Sequence, residues 1–251
     1  MLIRKDVYMD REDFLINYWR YYNILEEDFI ELTKYVRICE INYNTCSDEI
    51  IKQFLSVTSE FENICKVICG FSTSDKSKTI VHICNKVFDK IEDIKSIEIE
   101  VKGTEDLSIK PFESWDKNKP GQLFWWKGYN NVKHNRLEHY EDGNLKNLLN
   151  SLGALYFMEL YLVREIGSST NTKDVPNSVS KLFYVVDFPT RDSVISYELY
   201  EITKDDIERM LNYPIDELAN KKVNLKRMSD GEIFEASLDN IEEIAKIVSS
   251  K

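Results

Sequence analysis

Between Leu145 and Val163 the chain places apolar residues at Leu145, Leu148, Leu149, Leu152, Leu155, Tyr156, Leu160 and Val163, a spacing that covers more than one face of a helix. A helix apolar on most sides cannot lie on a surface with one side in water. It belongs at the centre of a helical body or at an interface between subunits. The run also carries Lys146, Asn147, Asn150 and Glu159, which favours a buried helix over a membrane span. Asp142-Gly143 breaks the chain ahead of it, and Asn144 is placed to cap a helix that runs to Glu165.

Two further long helices are predicted to surround this one. From Asp13 to Val36, Phe14, Tyr18, Tyr21, Leu25, Phe29, Leu32 and Val36 recur in steps of three and four, one face of an amphipathic helix. After a turn at Asn42-Tyr43-Asn44, Ser47 is an N-cap for a second helix, antiparallel to the first, whose Ile50, Phe54, Phe61, Ile64 and Ile68 repeat the spacing until Gly70. Phe71 to Lys78 is a polar break, and Thr79 to Ile94 reads as a shorter third helix. Residues 95–121 hold two short β-rich runs, two prolines and two glycines, the pattern of an extended insertion. Gly167 to Ser180 is rich in Ser, Thr and Asn and reads as a linker.

The expected organisation is therefore mainly α. Residues 1–166 form an antiparallel helical bundle with its insertion at about 95–121, residues 167–180 link, and residues 181–251 form a small α+β appendage. In that appendage KLFYVVDF and SVISYELYEI read as strands, Thr203 caps DDIERML, and VNLKRM and EIFEA form a hairpin about Ser229-Asp230-Gly231 before a last helix ending near Val248.

Composition narrows the function classes. The 251 residues are 43% hydrophobic and 12% aromatic, ample for a packed core, and the formal charge of -11 argues against a protein that coats nucleic acid nonspecifically. The segment MLIRKDVYMDRED lacks the apolar centre of a signal peptide, so an unsecreted, cytoplasmic protein is expected. Cys39, Cys46, Cys65, Cys69 and Cys84 are odd in number and contain no Cys-x-x-Cys pair, the pattern of reduced core thiols. A zinc site from Cys65, Cys69, His82 and Cys84 has atypical spacing and ranks well below that reading. No Gly-rich phosphate loop, His-Glu-x-x-His helix or serine nucleophile elbow is present, and no cofactor is expected.

The chemistry concentrates in LFWWKGYNNVKHNRLEHY, Leu123 to Tyr140, which reads as one helix. On a helical wheel Trp126, Asn130, His134 and Leu137 share one side, with Tyr129, Lys133, Arg136 and Tyr140 adjoining, so His134 stands at the edge of an aromatic stripe. An imidazole there can serve as general acid or base, Asn130 can orient a phosphate or ribose, and Lys133 or Arg136 can stabilise an anionic transition state. That set suits metal-independent RNA cleavage, in which a 2′-hydroxyl attacks the neighbouring phosphate. The competing reading is structural: a satisfied histidine and two core tryptophans. Glu60, at the edge of its helix's apolar face, and Glu159, which interrupts the buried helix, are candidate partners for His134 or a motif cation, with solvated or structural ion-pair roles as the plainer alternative.

Residues Tyr129 to Leu137, YNNVKHNRL, resemble the signature of HEPN-domain proteins, particularly in abortive-infection proteins: an Arg, an Asn, three variable residues and a His, followed by Arg-Leu. The resemblance covers roughly residues 12–166. It implies a HEPN-like bundle acting as, or descended from, an endoribonuclease of a toxin or antiviral-defence type. Asn130 matches the polar second position, His134 the catalytic histidine and Arg136 the downstream arginine, while Tyr129 stands where the motif has its leading arginine. Lys127, Lys133 or Arg136 then substitutes for that cation, or the site is inactive and binds a nucleotide or RNA. The implied partners are RNA, a second copy of the chain with two motifs meeting across the interface, and a cognate antitoxin or sensor. No membrane is involved. The alternative is a noncatalytic helical module that binds nucleotide, RNA or protein.

Overall fold

The computed structural model describes residues 9–91, 93–170, 180–186, 222–226 and 233–237. They divide between two compact units, Met1–Phe188 and Pro189–Lys251.

The first unit is mainly helical. Its elements are α1 (Arg11–Phe14), a π-helical segment (Leu15–Trp19), α2 (Arg20–Thr33), α3 (Asp48–Ile68), α4 (Ile80–Lys90), β1 (Glu98–Val101), β2 (Ser108–Ile109), α5 (Phe124–Asn135), α6 (Leu145–Thr170) and β3 (Phe183–Val186). Asp10 and Asp13 form a capping box that starts α1, and helical backbone continues through the π segment into α2. The predicted first helix is thus present, but its buried face differs from the expected one. Within the π segment Arg20 N–H donates to Leu15 O, which adds a residue to the turn. Phe14 and Trp19, five apart, then share the inner face with Tyr22, Leu25, Phe29 and Leu32, while Tyr18 is only half-buried and Tyr21 is 39% exposed. Strict steps of three and four had selected Tyr18 and Tyr21. The wide turn moves the stripe by one position, because the larger indole of Trp19 stacks on Tyr22 with centroids 4.9 Å apart, and Tyr22 stacks on Tyr156 of α6 at 5.5 Å.

Ser47 caps α3 as predicted, its Oγ accepting from Ile50 N at 3.1 Å. Gln53 Nε2 reaches Asp28 O at 3.1 Å, five residues from each end of the α2–α3 connection, the register of an antiparallel pair. Asn144 caps α6 through Asn147 N, at 3.0 Å. The next free N–H groups of α6 are taken by the chain ahead of α3: Leu145 N donates to Thr45 O and Lys146 N to Tyr43 O, both at 3.0 Å. With Cys46 bridged to Asn144, α3 and α6 begin side by side and pack along one another in the same direction.

The α6 helix is the central element. Leu145, Leu148, Leu149, Leu152 and Leu155 are fully buried and Tyr156 is 7% exposed, all within one chain. Of the two placements open to such a helix, the internal one is found for its described apolar residues, with Leu160 half-buried.

Residues 95–121 hold the two expected β-rich runs, and their apolar side chains join the core. β1 pairs antiparallel with β2 and with β3, in the order β2-β1-β3, and Ile99, Val101, Ile109, Phe183 and Val185 are buried. Gly153 lets this sheet lie against α6, since a Cβ there would stand 2.7 Å from Ile109 Cδ1. Phe112 and Trp115 are fully buried beside Phe61, Phe88 and Phe157.

The segment predicted as a linker also differs. α6 continues to Thr170, and the strand expected to open the C-terminal appendage instead completes the first unit's sheet. The reason is Glu26 on α2, which is 1% exposed. It accepts hydrogen bonds from the Tyr22 hydroxyl at 2.8 Å, Leu182 N at 3.2 Å, Lys181 N at 3.1 Å and the Ser180 hydroxyl, so a buried carboxylate pins the chain that leads into β3. The compact units divide after Phe188.

In the second unit β4 (Lys222–Lys226) and β5 (Ile233–Ser237) form the predicted antiparallel hairpin, from Lys222 opposite Ser237 to Lys226 opposite Ile233. The expected SVISYELYEI strand, the DDIERML helix, the Ser229-Asp230-Gly231 turn and the last helix lie outside the described residues. Among the described residues no helix is long and apolar enough to cross a membrane.

Candidate functional site at the end of α5

The motif segment splits into a buried half and an exposed half. Trp125 is fully buried, donates Nε1–H to Pro111 O at 2.8 Å and meets Phe61 edge-on with centroids 4.9 Å apart. Trp126 and Tyr129 are 4% and 3% exposed and pack together at 5.3 Å, with Phe54 against Tyr129. These aromatics are core residues, as the structural reading expected.

Gly128 brings α5 close to α6. A Cβ at that position would lie 2.7 Å from Asn147 Nδ2, which itself donates to Asp142 O at 2.8 Å. Asn131 Nδ2 adds a bond to the Asp142 carboxylate at 2.8 Å, and His139 Nδ1 approaches the same carboxylate at 3.8 Å. The return loop is therefore tied to both helices.

Beyond this clamp the helix leaves the body. Asn130 is half-buried, and His134 one turn later is exposed with no hydrogen-bond partner among the described residues. His134 is not packed behind the two tryptophans. α5 ends at Asn135, so Arg136 is its C-cap and Leu137, 90% exposed, lies past the helix rather than on its stripe. Lys127, Lys133 and Arg136 are all exposed. Lys133 Nζ donates to the Tyr129 hydroxyl at 3.0 Å and lies 5.0 Å from the centre of that ring, a cation held beside the position where the resembling motif has arginine.

His139 joins this end of the molecule and was not singled out by the helical-wheel argument. The signal was a second histidine in the same run, separated from His134 by a helix end that spacing alone did not place.

Glu60 and Glu159 do not join the motif. Glu159 is fully buried with neither carboxylate oxygen hydrogen-bonded, and it interacts electrostatically with Glu60 and with Tyr18. Gly128 of α5 lies against Asn147, and Glu159 is a further ~18 Å along α6 at helical rise. Burial, and secondly the neighbouring Glu60, push the Glu159 carboxyl well above the ordinary carboxylate range. Burial raises Glu60 as well, and Asn63 opposes this by hydrogen bonding it at 3.1 Å.

Of the five thiols expected in the core, Cys65, Cys69 and Cys84 are buried, and burial pushes the Cys69 and Cys84 thiols up to about 11, whereas Cys39 and Cys46 are only half-buried. His82 Nδ1 takes part in the capping box with Thr79 at the start of α4, and among the described residues no group of three or more His, Cys, Asp or Glu side chains can hold a metal ion.

Comparison with protein-family models, with curated proteins and with solved structures finds no match to this chain. The structure itself defines the class: a mainly helical body built on a central helix, closed by a three-stranded antiparallel sheet and displaying a polar, cation-bearing helix end.

Proposed function

We propose that the exposed end of α5 is the active end of a HEPN-like, metal-independent endoribonuclease of a toxin or defence type. The observation that carries this reading is the exposure of His134, one helical turn beyond Asn130 and among the exposed cations Lys127, Lys133 and Arg136. In the proposed step the ribose 2′-oxygen loses its proton and attacks the adjacent phosphorus. The bond from phosphorus to the 5′-oxygen breaks and that oxygen takes up a proton, leaving a cyclic phosphate and a 5′-hydroxyl. His134 is the group that moves a proton, Asn130 donates an amide hydrogen bond to phosphate, and Arg136 and Lys133 offset the charge gathering on the phosphoryl oxygens. The Lys133 ammonium held on Tyr129 supports substitution for the motif's leading arginine. In this reading, pairing of two motifs in a homodimer runs through the exposed α5 end itself.

The test is incubation of the full chain with single-stranded RNA in the presence of a chelator. Cyclic-phosphate ends that vanish in His134→Ala, with unchanged thermal stability, are the expected result. Equal cleavage by wild type and variant would overturn it.

A second reading, a noncatalytic module, is favoured by the exposure of Leu137 at 90% and Tyr140 at 38% beside His134. It predicts no cleavage, together with loss of partner binding in Leu137→Asp.

A further inference from the structure

One long stretch of this acidic chain carries no acid. Of the 44 Asp and Glu residues none lies between Lys117 and Leu137, the longest acid-free run in the sequence, yet that run holds Lys119, Lys127, Lys133 and Arg136. Lys117 is neutralised by Asp89, at 2.7 Å. The other four cations, and Lys146 at the start of α6, form no ion pair among the described residues. Exposed cations without a carboxylate beside them set up a local positive field that an outside anion can meet.

The fold arranges part of this charge in a row. α5 buries Trp125, Trp126, Gly128, Tyr129 and Val132, so Phe124, Lys127, Asn131 and His134, in steps of three, four and three, run along its outer face. Lys146 joins the start of the row, with Nζ 5.5 Å from the centre of the half-buried Phe124 ring. The ring positions this ammonium without cancelling its charge. In the middle, Asn131 is committed to the Asp142 carboxylate, the nearest acid, at 2.8 Å.

The row is closed at one end. Past Arg136 come the exposed Glu138 and Glu141 and then Asp142, where a polyanion is repelled. A strand whose reacting phosphate lies at His134 therefore extends the other way, toward the start of α5. From His134 back to Phe124 is ~15 Å of helix, the reach of a few nucleotides and far less than the roughly 16 base pairs that a reader of duplex RNA spans. We propose that single-stranded RNA lies along the outer face of α5 from His134 toward Phe124, with Lys127 and Lys146 on its phosphates and Phe124 as the positioning residue for Lys146. Binding then comes from nucleotides on one side of the cleaved bond only. The placement rests on the reading of His134 as the proton-transfer group, which fixes where that bond sits.

The experiment uses the full chain and two sets of single-stranded oligoribonucleotides. Strands methylated at every 2′-oxygen cannot be cut, and fluorescence anisotropy reads their binding over a range of salt. Lys127→Gln and Lys146→Gln should each lower the slope of log affinity against log salt by about one, and the double variant by about two. Lys76→Gln, at an exposed lysine between α3 and α4, should leave the slope unchanged. Phe124→Leu should weaken binding with the slope kept, since the ammonium remains but is held less well; its melting temperature reports whether it is folded.

Strands with a single unmethylated ribose are then shortened from either end. Loss of nucleotides on one side of that ribose should lower kcat/KM, and loss on the other should change nothing. Equal losses from both ends, unchanged salt slopes in the lysine variants, or equal binding of a duplex of the same sequence would overturn the placement. Absence of any strand binding would overturn it too and leave this face to an acidic protein. The two readings fail separately. A chain that binds with the expected slopes and does not cut keeps the strand on α5 and loses the ribonuclease reading, whereas one that cuts while both lysine variants bind as wild type loses only the placement.

Discussion

The end of α5 and the Glu60–Glu159 pair sit on one helical body and handle charge in opposite ways. At the α5 end, Lys127, Lys133 and Arg136 stay in water beside the exposed His134, where the cations' charges cost little to keep. In the pair, Glu60 is half-buried and Glu159 fully buried, and the carboxyls respond by holding their protons to higher pH. The difference teaches how two polar residues placed in apolar runs can have unlike fates. His134 follows a glycine-mediated clamp, after which its helix departs from the core. Glu159 is in the middle of a helix that the fold surrounds on all sides.

The largest effect that would sharpen this contrast is kinetic. His134→Ala should lower RNA cleavage by about 10²–10⁴-fold, the usual contribution of a proton-transfer group, while leaving the melting temperature in place because the side chain is exposed. Single-turnover cleavage and thermal melting of the same preparations check both halves. A large drop in melting temperature would mean the α5 end is structural after all.

Stability against pH probes the other region. Folded Glu159 keeps its proton well above the ordinary carboxylate range, whereas in the unfolded chain it ionises near pH ~4.3. Between those values the native state binds more protons than the unfolded state, so stability is full below the unfolded value and falls as pH rises through the folded one. In Glu159→Gln most of this decline should disappear, leaving the weaker slope from Glu60, whose carboxyl is raised in the same direction. Denaturant titrations across the acid to neutral range decide it. A wild-type curve that rises with pH over that window would contradict the burial of Glu159.

Gly128→Ala tests whether the clamp is what separates the two halves of the motif. The added methyl meets Asn147 Nδ2 at 2.7 Å, so α5 must shift or Asn147 must give up its bond to Asp142 O, at a cost of about 1–3 kcal/mol. Chemical denaturation measures this, and an unchanged midpoint would show that the contact is slack.

The smallest change is expected for Lys133→Gln. If Lys133 contacts phosphate, the slope of log affinity for RNA against log salt should fall by about one, with a modest loss of affinity. A slope identical to wild type would confine Lys133 to its contact with Tyr129.

Much of this architecture is written in local patterns. Apolar spacing announced α3, the apolar coverage of residues 145–163 announced a buried helix, and Ser47 and Asn144 marked two helix starts, because caps and periodicity depend on neighbours a few residues away. The motif residues were legible as a set, yet their sorting into buried Trp125, Trp126 and Tyr129 and exposed His134 was not, since it follows from where α6 crosses Gly128. Two features were decided by tertiary structure alone. One is the π segment, where stacking of Trp19 on Tyr22 and Tyr22 on Tyr156 outweighs regular helical hydrogen bonding and moves the inner face by one residue. The other is the attachment of β3, which depends on Glu26 reaching donors at Ser180, Lys181 and Leu182, more than 150 positions away. A carboxylate in an amphipathic helix looks alike in sequence whether it meets water or a distant strand, and only the folded chain brings those N–H groups to it.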